Sequence, residues 1–277
     1  MRLQECACPL DRDASPKALA PTATPLRRRG IPLVLPLILL GLWQGASSLG
    51  LWSPAVLPAP GAVGRALWGL TVSGELFRHL GASFGRVLGG FALASALGCA
   101  LGFLLGRRPA LGTFCGGTLE FLRHVPPLAL LPMLILWCGI GEGSKVAVIV
   151  LASFFPVFLN TLEGVTERDP RLEEVGRSLG LSEGEILRRI VLPEALPSVL
   201  VGLRIGLGYG WRSLIGAELI AAASGVGYLI QDAVALSRGD VVVAGILAMG
   251  GAGVALDALF AAVTGRLVPW GALRRAS

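Results

Sequence analysis

From Ile31 to Gly50, and again from Val87 to Gly106, the sequence runs for 20 residues without a charged side chain. An α-helix rises about 1.5 Å per residue, so a run of that length reaches across the roughly 30 Å hydrocarbon core of a bilayer. Further apolar stretches cover Val146–Leu162, Ala195–Ala223 and Val241–Gly265, the last with Asp257 as its only charge. Another is interrupted: Ala110–Leu119 is apolar, Glu120 and Arg123 intervene, and Val125–Gly141 is apolar again. Charged residues make up 15% of the 277, where a soluble domain carries about a quarter. Mean hydropathy is +0.71. A water-soluble domain and a disordered chain are both excluded. What remains is an all-α integral membrane protein with six transmembrane helices.

The first 30 residues are polar and end in Arg27-Arg28-Arg29. The apolar stretch behind them is long, and no clean small-residue cleavage site follows, so Ile31–Gly50 is read as a retained helix, not a signal peptide. With the N-terminus inside, 16 of the 24 Lys and Arg fall on inner segments: 1–30, Arg107-Arg108, Arg168–Arg189 and the C-terminal Arg266, Arg274 and Arg275. Only Arg65, Arg78, Lys145 and Arg238 fall on outer ones. That bias puts both termini in the cytoplasm. It also accounts for the net charge of +6 without a nucleic-acid partner. The domain reading is a basic tail (1–30), a membrane domain (31–270) with a cytoplasmic hairpin at 163–193, and a short tail (271–277). Of five cysteines, Cys6 and Cys8 lie in the tail; two thiols alone fall short of a metal ligand set, and no cofactor is expected.

Pro126, Pro127 and Pro132 in the interrupted stretch predict a kinked helix, or a broken one lining a cavity. Glycines recur every fourth residue in three rows: 81, 85, 89; 98, 102, 106; and 202, 206, 210. Such rows are read as seams where helix backbones approach closely in lipid.

The polar segment 163–193 reads as two short amphipathic helices. Leu172, Val175 and Leu179 form an apolar stripe. Gly180 stands where a helix C-terminus turns left-handed. Ser182 and Glu185 have the spacing of a capping box for the second helix, whose stripe is Ile186, Ile190 and Val191, and Pro193 is expected to part it from the next span.

Glu174-Val175-Gly176, then Gly180, then Ile190, Leu192 and Pro193 resemble the "EAA" loop of the membrane subunits of bacterial ABC importers. The spacing is kept throughout; Val175 and Gly176 replace the two alanines. Further segments resemble the nitrate/sulfonate/taurine branch, and within it the aliphatic sulfonate permeases: Ser73–Leu76, Arg123–Pro132, Ile135–Ile140, Phe155-Pro156 and Ala217-Glu218. The likeness covers roughly Leu33 to Trp270. It implies the MetI-like permease fold of binding-protein-dependent transport. It implies a homodimer of permeases, a separate ABC ATPase subunit, and a periplasmic or lipid-anchored solute-binding protein at a bacterial inner membrane. In that family the loop fits a cleft in the ATPase, which assigns coupling to Glu174, Val175, Gly176, Gly180, Ile190, Leu192 and Pro193. Glu173 is read as a solvated neighbour. The solute implied is a small anion: an aliphatic sulfonate first, taurine or nitrate otherwise.

Charges inside spans are costly and mark function or pairing. Arg204 is read as reaching toward the cytoplasmic interface. Arg212 and Glu218 lie deeper and are the candidate pathway residues; they are about 240° apart around one helix and share no face. Asp257 is expected to pair with one of these arginines, and Glu120 with Arg123. His124 is read as structural. No Gly-x4-Gly-Lys-Ser/Thr or His-Glu-x-x-His occurs, so an enzyme is not the reading. A stand-alone secondary transporter is the alternative; it has no use for the hairpin.

Overall fold

The computed structural model describes residues 31–267 apart from 51 and 54. The two tails, with Cys6 and Cys8, lie outside the described residues. All six apolar regions are helical. In chain order the helices are α1 (Ile31–Ser48), α2 (Pro60–Val72), α3 (Glu75–Arg107), α4 (Pro109–Arg123), α5 (Leu131–Cys138), α6 (Glu142–Thr166), α7 (Pro170–Ser178), α8 (Glu183–Ile186), α9 (Leu192–Ala221), α10 (Val226–Ala235) and α11 (Gly239–Leu267). Four helical runs are long and apolar enough to cross a bilayer: α3, α6, Glu183–Ala221 and α11. The interrupted stretch is broken, as expected, but none of its residues line the cleft described below. A 3-10 turn at Pro127–Leu130 follows α4, and the two arms meet at 81°. Over its described residues α1 is apolar but shorter, Val34–Ser48.

The centre of the bundle is α6, held between α3 and α9. Two of the glycine rows make that possible. A Cβ on Gly102 would come 2.8 Å from Thr161, and one on Gly106 2.7 Å from Val165. On the other side, a Cβ on Gly202 would come 2.6 Å from Asn160, and one on Gly206 2.9 Å from Val157. Any side chain there would push the helices apart. The third row differs: Gly81, Gly85 and Gly89 have nothing within 4 Å. Among the described residues that row is no seam, because the face of α3 that carries it meets no other helix.

Val87, Ile149, Leu207, Trp211 and Leu214 form the main core. Leu131, Leu134, Val148 and Ala217 pack α5 against α6 and α9. Much of the remaining apolar surface faces outward: Leu93, Phe114, Val254 and Leu259 are all exposed. Such a surface suits lipid and not water.

Pro193 does not part the hairpin from the next span. The helix runs unbroken from Glu183 to Ala221 through a π-helical turn at Leu187–Val191. Proline lacks an N–H and crowds the carbonyl four residues back. The wider turn shifts those carbonyls off the α register and accommodates the ring.

Candidate functional site

Two features stand out at the hairpin half of the bundle. The first is the hairpin. Asp169 caps α7, its side chain accepting from the Arg171 amide at 2.9 Å, and Pro170 follows with its φ preset for the first turn. The helix ends at Gly180, whose φ is +78°. Leu181 N donates to Gly176 O at 3.1 Å and Gly180 N to Arg177 O at 3.0 Å, the bond pair of a Schellman turn. Ser182 then caps α8 with a reciprocal box to Glu185. The two arms close on Gly176, where a Cβ would lie 2.8 Å from Ile190 and 3.3 Å from Ile186. That contact joins two positions of the loop motif.

The apolar stripe of α7 is exposed. Leu172, Val175 and Leu179 are 45%, 55% and 75% exposed, and Glu174 beside them is exposed. A stripe of this kind on a polar hairpin has the form of a docking face. Leu192 and Pro193 are exposed too, at the base of the second arm.

The second feature is a cleft of about 1430 Å³, lined by Asn160, Arg204, Tyr209, Arg212, Asp257 and Thr264 among others. It lies chiefly between α9 and α11. Arg204 forks onto Asp257, with Nε to Oδ1 at 2.7 Å and Nη2 to Oδ2 at 2.6 Å. Arg212 has a different environment. Its guanidinium stacks over Tyr209 at 5.7 Å, and among the described residues no carboxylate lies within ion-pair distance. Among the described residues Arg212 is thus a cation without a carboxylate partner, about two-thirds of the way along α9 and lining a cleft.

A family model described as the inner membrane component of binding-protein-dependent transport systems matches residues 94–269, which take in the hairpin and the cleft. The chain belongs to this family. Its relatives include the putative aliphatic sulfonates transport permease protein SsuC of Bacillus subtilis, 39% identical over 86% of each chain. The taurine transport system permease protein TauC of Escherichia coli is 39% identical over 84% of this chain and 86% of its own. The nitrate import permease protein NrtB of Leptolyngbya laminosa is 30% identical over 87% and 89%. Nothing in these matches favours a stand-alone carrier.

Within this permease two carboxylates differ from the sequence expectation. Glu218 does not line the cleft. It is 1% exposed and accepts from Arg86 Nη1 at 2.7 Å, Ser83 Oγ at 2.9 Å and Gly227 N at 3.0 Å. The 240° offset is the cause: with Arg212 on the cleft, Glu218 points to α3. Arg86 also donates to Glu142 at 2.5 Å and to the Ser224 carbonyl at 2.7 Å, closing a network at the end away from the hairpin. Glu173 is not a solvated neighbour of Glu174 either. It is 7% exposed and paired with arginines. Arg177, four residues on, bonds both Glu173 and Glu183; its pKa is raised above the ordinary arginine value, first by the hydrogen bond to Glu183. The i,i+4 spacing of Glu173 and Arg177 was a visible signal for this pairing. Arg86 had none beyond standing three residues from Ser83 on one face. Glu120 pairs with Arg123 at 2.6 Å, as expected, and His124 Nδ1 sits 2.8 Å from the Glu120 carbonyl oxygen.

Proposed function

We propose that this chain is the path-forming subunit of an ATP-driven importer of small anions, with an aliphatic sulfonate as the first solute and taurine or nitrate as alternatives. Two copies enclose the path. A separate ATPase chain docks on the hairpin, and a periplasmic or lipid-anchored binding protein delivers the solute. ATP binding draws the hairpins together and opens the path outward; hydrolysis resets it. The observation that carries this reading is the exposed stripe Leu172, Val175 and Leu179 on a capped, rigid hairpin. The anionic solute is supported by Arg212 in the cleft, since a guanidinium matches a sulfonate oxygen pair bidentately, and by the names of the relatives.

Orientation in a bacterial inner membrane, with both termini and the hairpin cytoplasmic, rests on the 16-to-4 distribution of basic residues. A Ser182→Cys substitution in a chain lacking its native thiols will resist an impermeant thiol reagent in intact cells and react after permeabilisation. Ready labelling in intact cells would reverse the orientation.

Arg212→Gln tests the path. Uptake of ethanesulfonate by the reconstituted importer should drop at least tenfold, about 1.4 kcal/mol, while assembly with the ATPase and basal hydrolysis stay near normal. If the variant fails to accumulate in the membrane, Arg212 is a structural residue and the path reading of it is wrong.

A further inference from the structure

The hairpin must pass motion to the spans, and its docking face alone cannot do so. Helix α7 packs closely on α8 and the turn Leu187–Val191, the other arm of its own hairpin. Beyond that arm, which continues unbroken into α9, and the Asp169 N–H donating to Glu194 Oε1 at 3.3 Å, its side-chain tie to α3 and α6 centres on one buried carboxylate. The Glu173 carboxylate accepts from Arg107 Nη1 at 3.2 Å, from Arg177 Nη2 at 3.3 Å and from Arg168 Nε. Arg107 is the last residue of α3. Arg168 stands in the link after α6 and also donates to the Val165 carbonyl in that helix's last turn. Glu183 at the start of α8 completes the cluster, accepting from Arg107 Nη2 at 3.4 Å and Arg177 Nε at 3.0 Å. Two carboxylates and three guanidiniums therefore join the ends of α3 and α6 to both arms of the hairpin.

Glu173 lies off the docking stripe: at 100° per residue, Leu172 is turned roughly 100° from it, Val175 200° and Leu179 240°. The face that meets a partner and the face that holds the spans are thus different faces of one short helix. Charge-assisted bonds with near-fixed geometry suit the second task.

We infer that Glu173 is the positioning residue that makes the hairpin, α3 and α6 move as one body, so that displacement of the docked stripe reaches the path. The inference rests on the coupling reading above. Loss of the carboxylate leaves three guanidiniums with Glu183 as their one remaining carboxylate in the cluster, and α7 is then free to shift against α3 while still gripping its partner.

The test uses the complete importer with its cognate ATPase, in a chain whose native cysteines are replaced by serine. Nitroxides at Ser178→Cys on α7 and Ala100→Cys on α3, both exposed positions, report the distance between hairpin and span. With Glu173 in place, that distance should change by less than about 2 Å between nucleotide-free and vanadate-trapped states. In Glu173→Gln it should change or spread by about 5 Å, one helical turn, with the ATPase still co-purifying. Glu173→Asp should restore most of the rigidity. Arg107→Gln, which keeps two guanidiniums on Glu173, should loosen the α3 tie in the same direction and serves if Glu173→Gln fails to accumulate. An unchanged distance in both variants overturns the inference. So does loss of ATPase co-purification in Glu173→Gln, which would move Glu173 to the docking face. Failure of the unsubstituted chain to hold an ATPase would instead overturn the coupling reading itself.

Discussion

Arg86→Met will cost the folded chain about 3–5 kcal/mol, the penalty of stranding one partner of a buried ion pair. Glu218 sits at 1% exposure with Arg86 as its sole cationic neighbour within bonding distance among the described residues. Without it, the carboxylate keeps only Ser83 Oγ and the Gly227 amide, too few donors to hold a charge away from water. The bonds from Arg86 to Glu142 and to the Ser224 carbonyl are lost at the same time, which frees the turn between α9 and α10. The unfolding midpoint in detergent should drop by roughly 10 °C. Removing both charges, as Arg86→Met with Glu218→Leu, should recover most of the loss, because two apolar groups leave nothing unpaired. Glu142 keeps Lys145 at 3.0 Å, so the double variant strands no third charge. A single variant within about 1 kcal/mol of the parent would contradict the account of this network.

Gly180→Val will impair uptake far more than it impairs insertion. A Cβ at Gly180 meets nothing within 4 Å, so the penalty is backbone strain at φ +78° and not a clash. A non-glycine residue there costs about 1–2 kcal/mol, and a β-branched one more. The spans do not depend on this turn, so membrane levels should hold. The docking helix does, because the Schellman bonds from Gly180 and Leu181 set its exit. Gly180→Ala should lower ethanesulfonate uptake a few-fold, and Gly180→Val more than about tenfold, with 1.4 kcal/mol corresponding to each factor of ten. Equal uptake by the two variants would show that the turn does not set the position of α7.

The spanning helices were legible because lipid imposes one demand on every residue facing it, and long uncharged runs record that demand directly. The hairpin was legible for local reasons: Gly180, the Ser182–Glu185 box and the stripe each depend on neighbours a few residues away. What escaped depends on distant partners. Glu173 and Glu174 are adjacent and chemically identical; the local Arg177 pairing was a signal, but the approach of Arg107, 66 residues earlier, was not visible in the sequence. Glu218 and Arg86 are 132 residues apart. The glycine rows share one spacing, but two face α6 and the third faces outward, a difference set by helix placement. Pro193 reads as a break in any linear rule; the π turn that absorbs it is a property of the folded backbone. Asp257 was correctly matched to an arginine because few charges exist in the spans to choose from.

The central claim is that the exposed face of α7 holds an ATPase. The most direct measurement is the amount of that ATPase retained when the tagged chain is purified from membranes carrying both proteins. The unsubstituted chain should retain it in near-equal amount. Glu174→Lys and Val175→Asp should each lower retention at least tenfold, about 1.4 kcal/mol, with the chain itself present in the membrane at normal levels. Undiminished retention and uptake in both variants would mean that the hairpin is only a connection between spans.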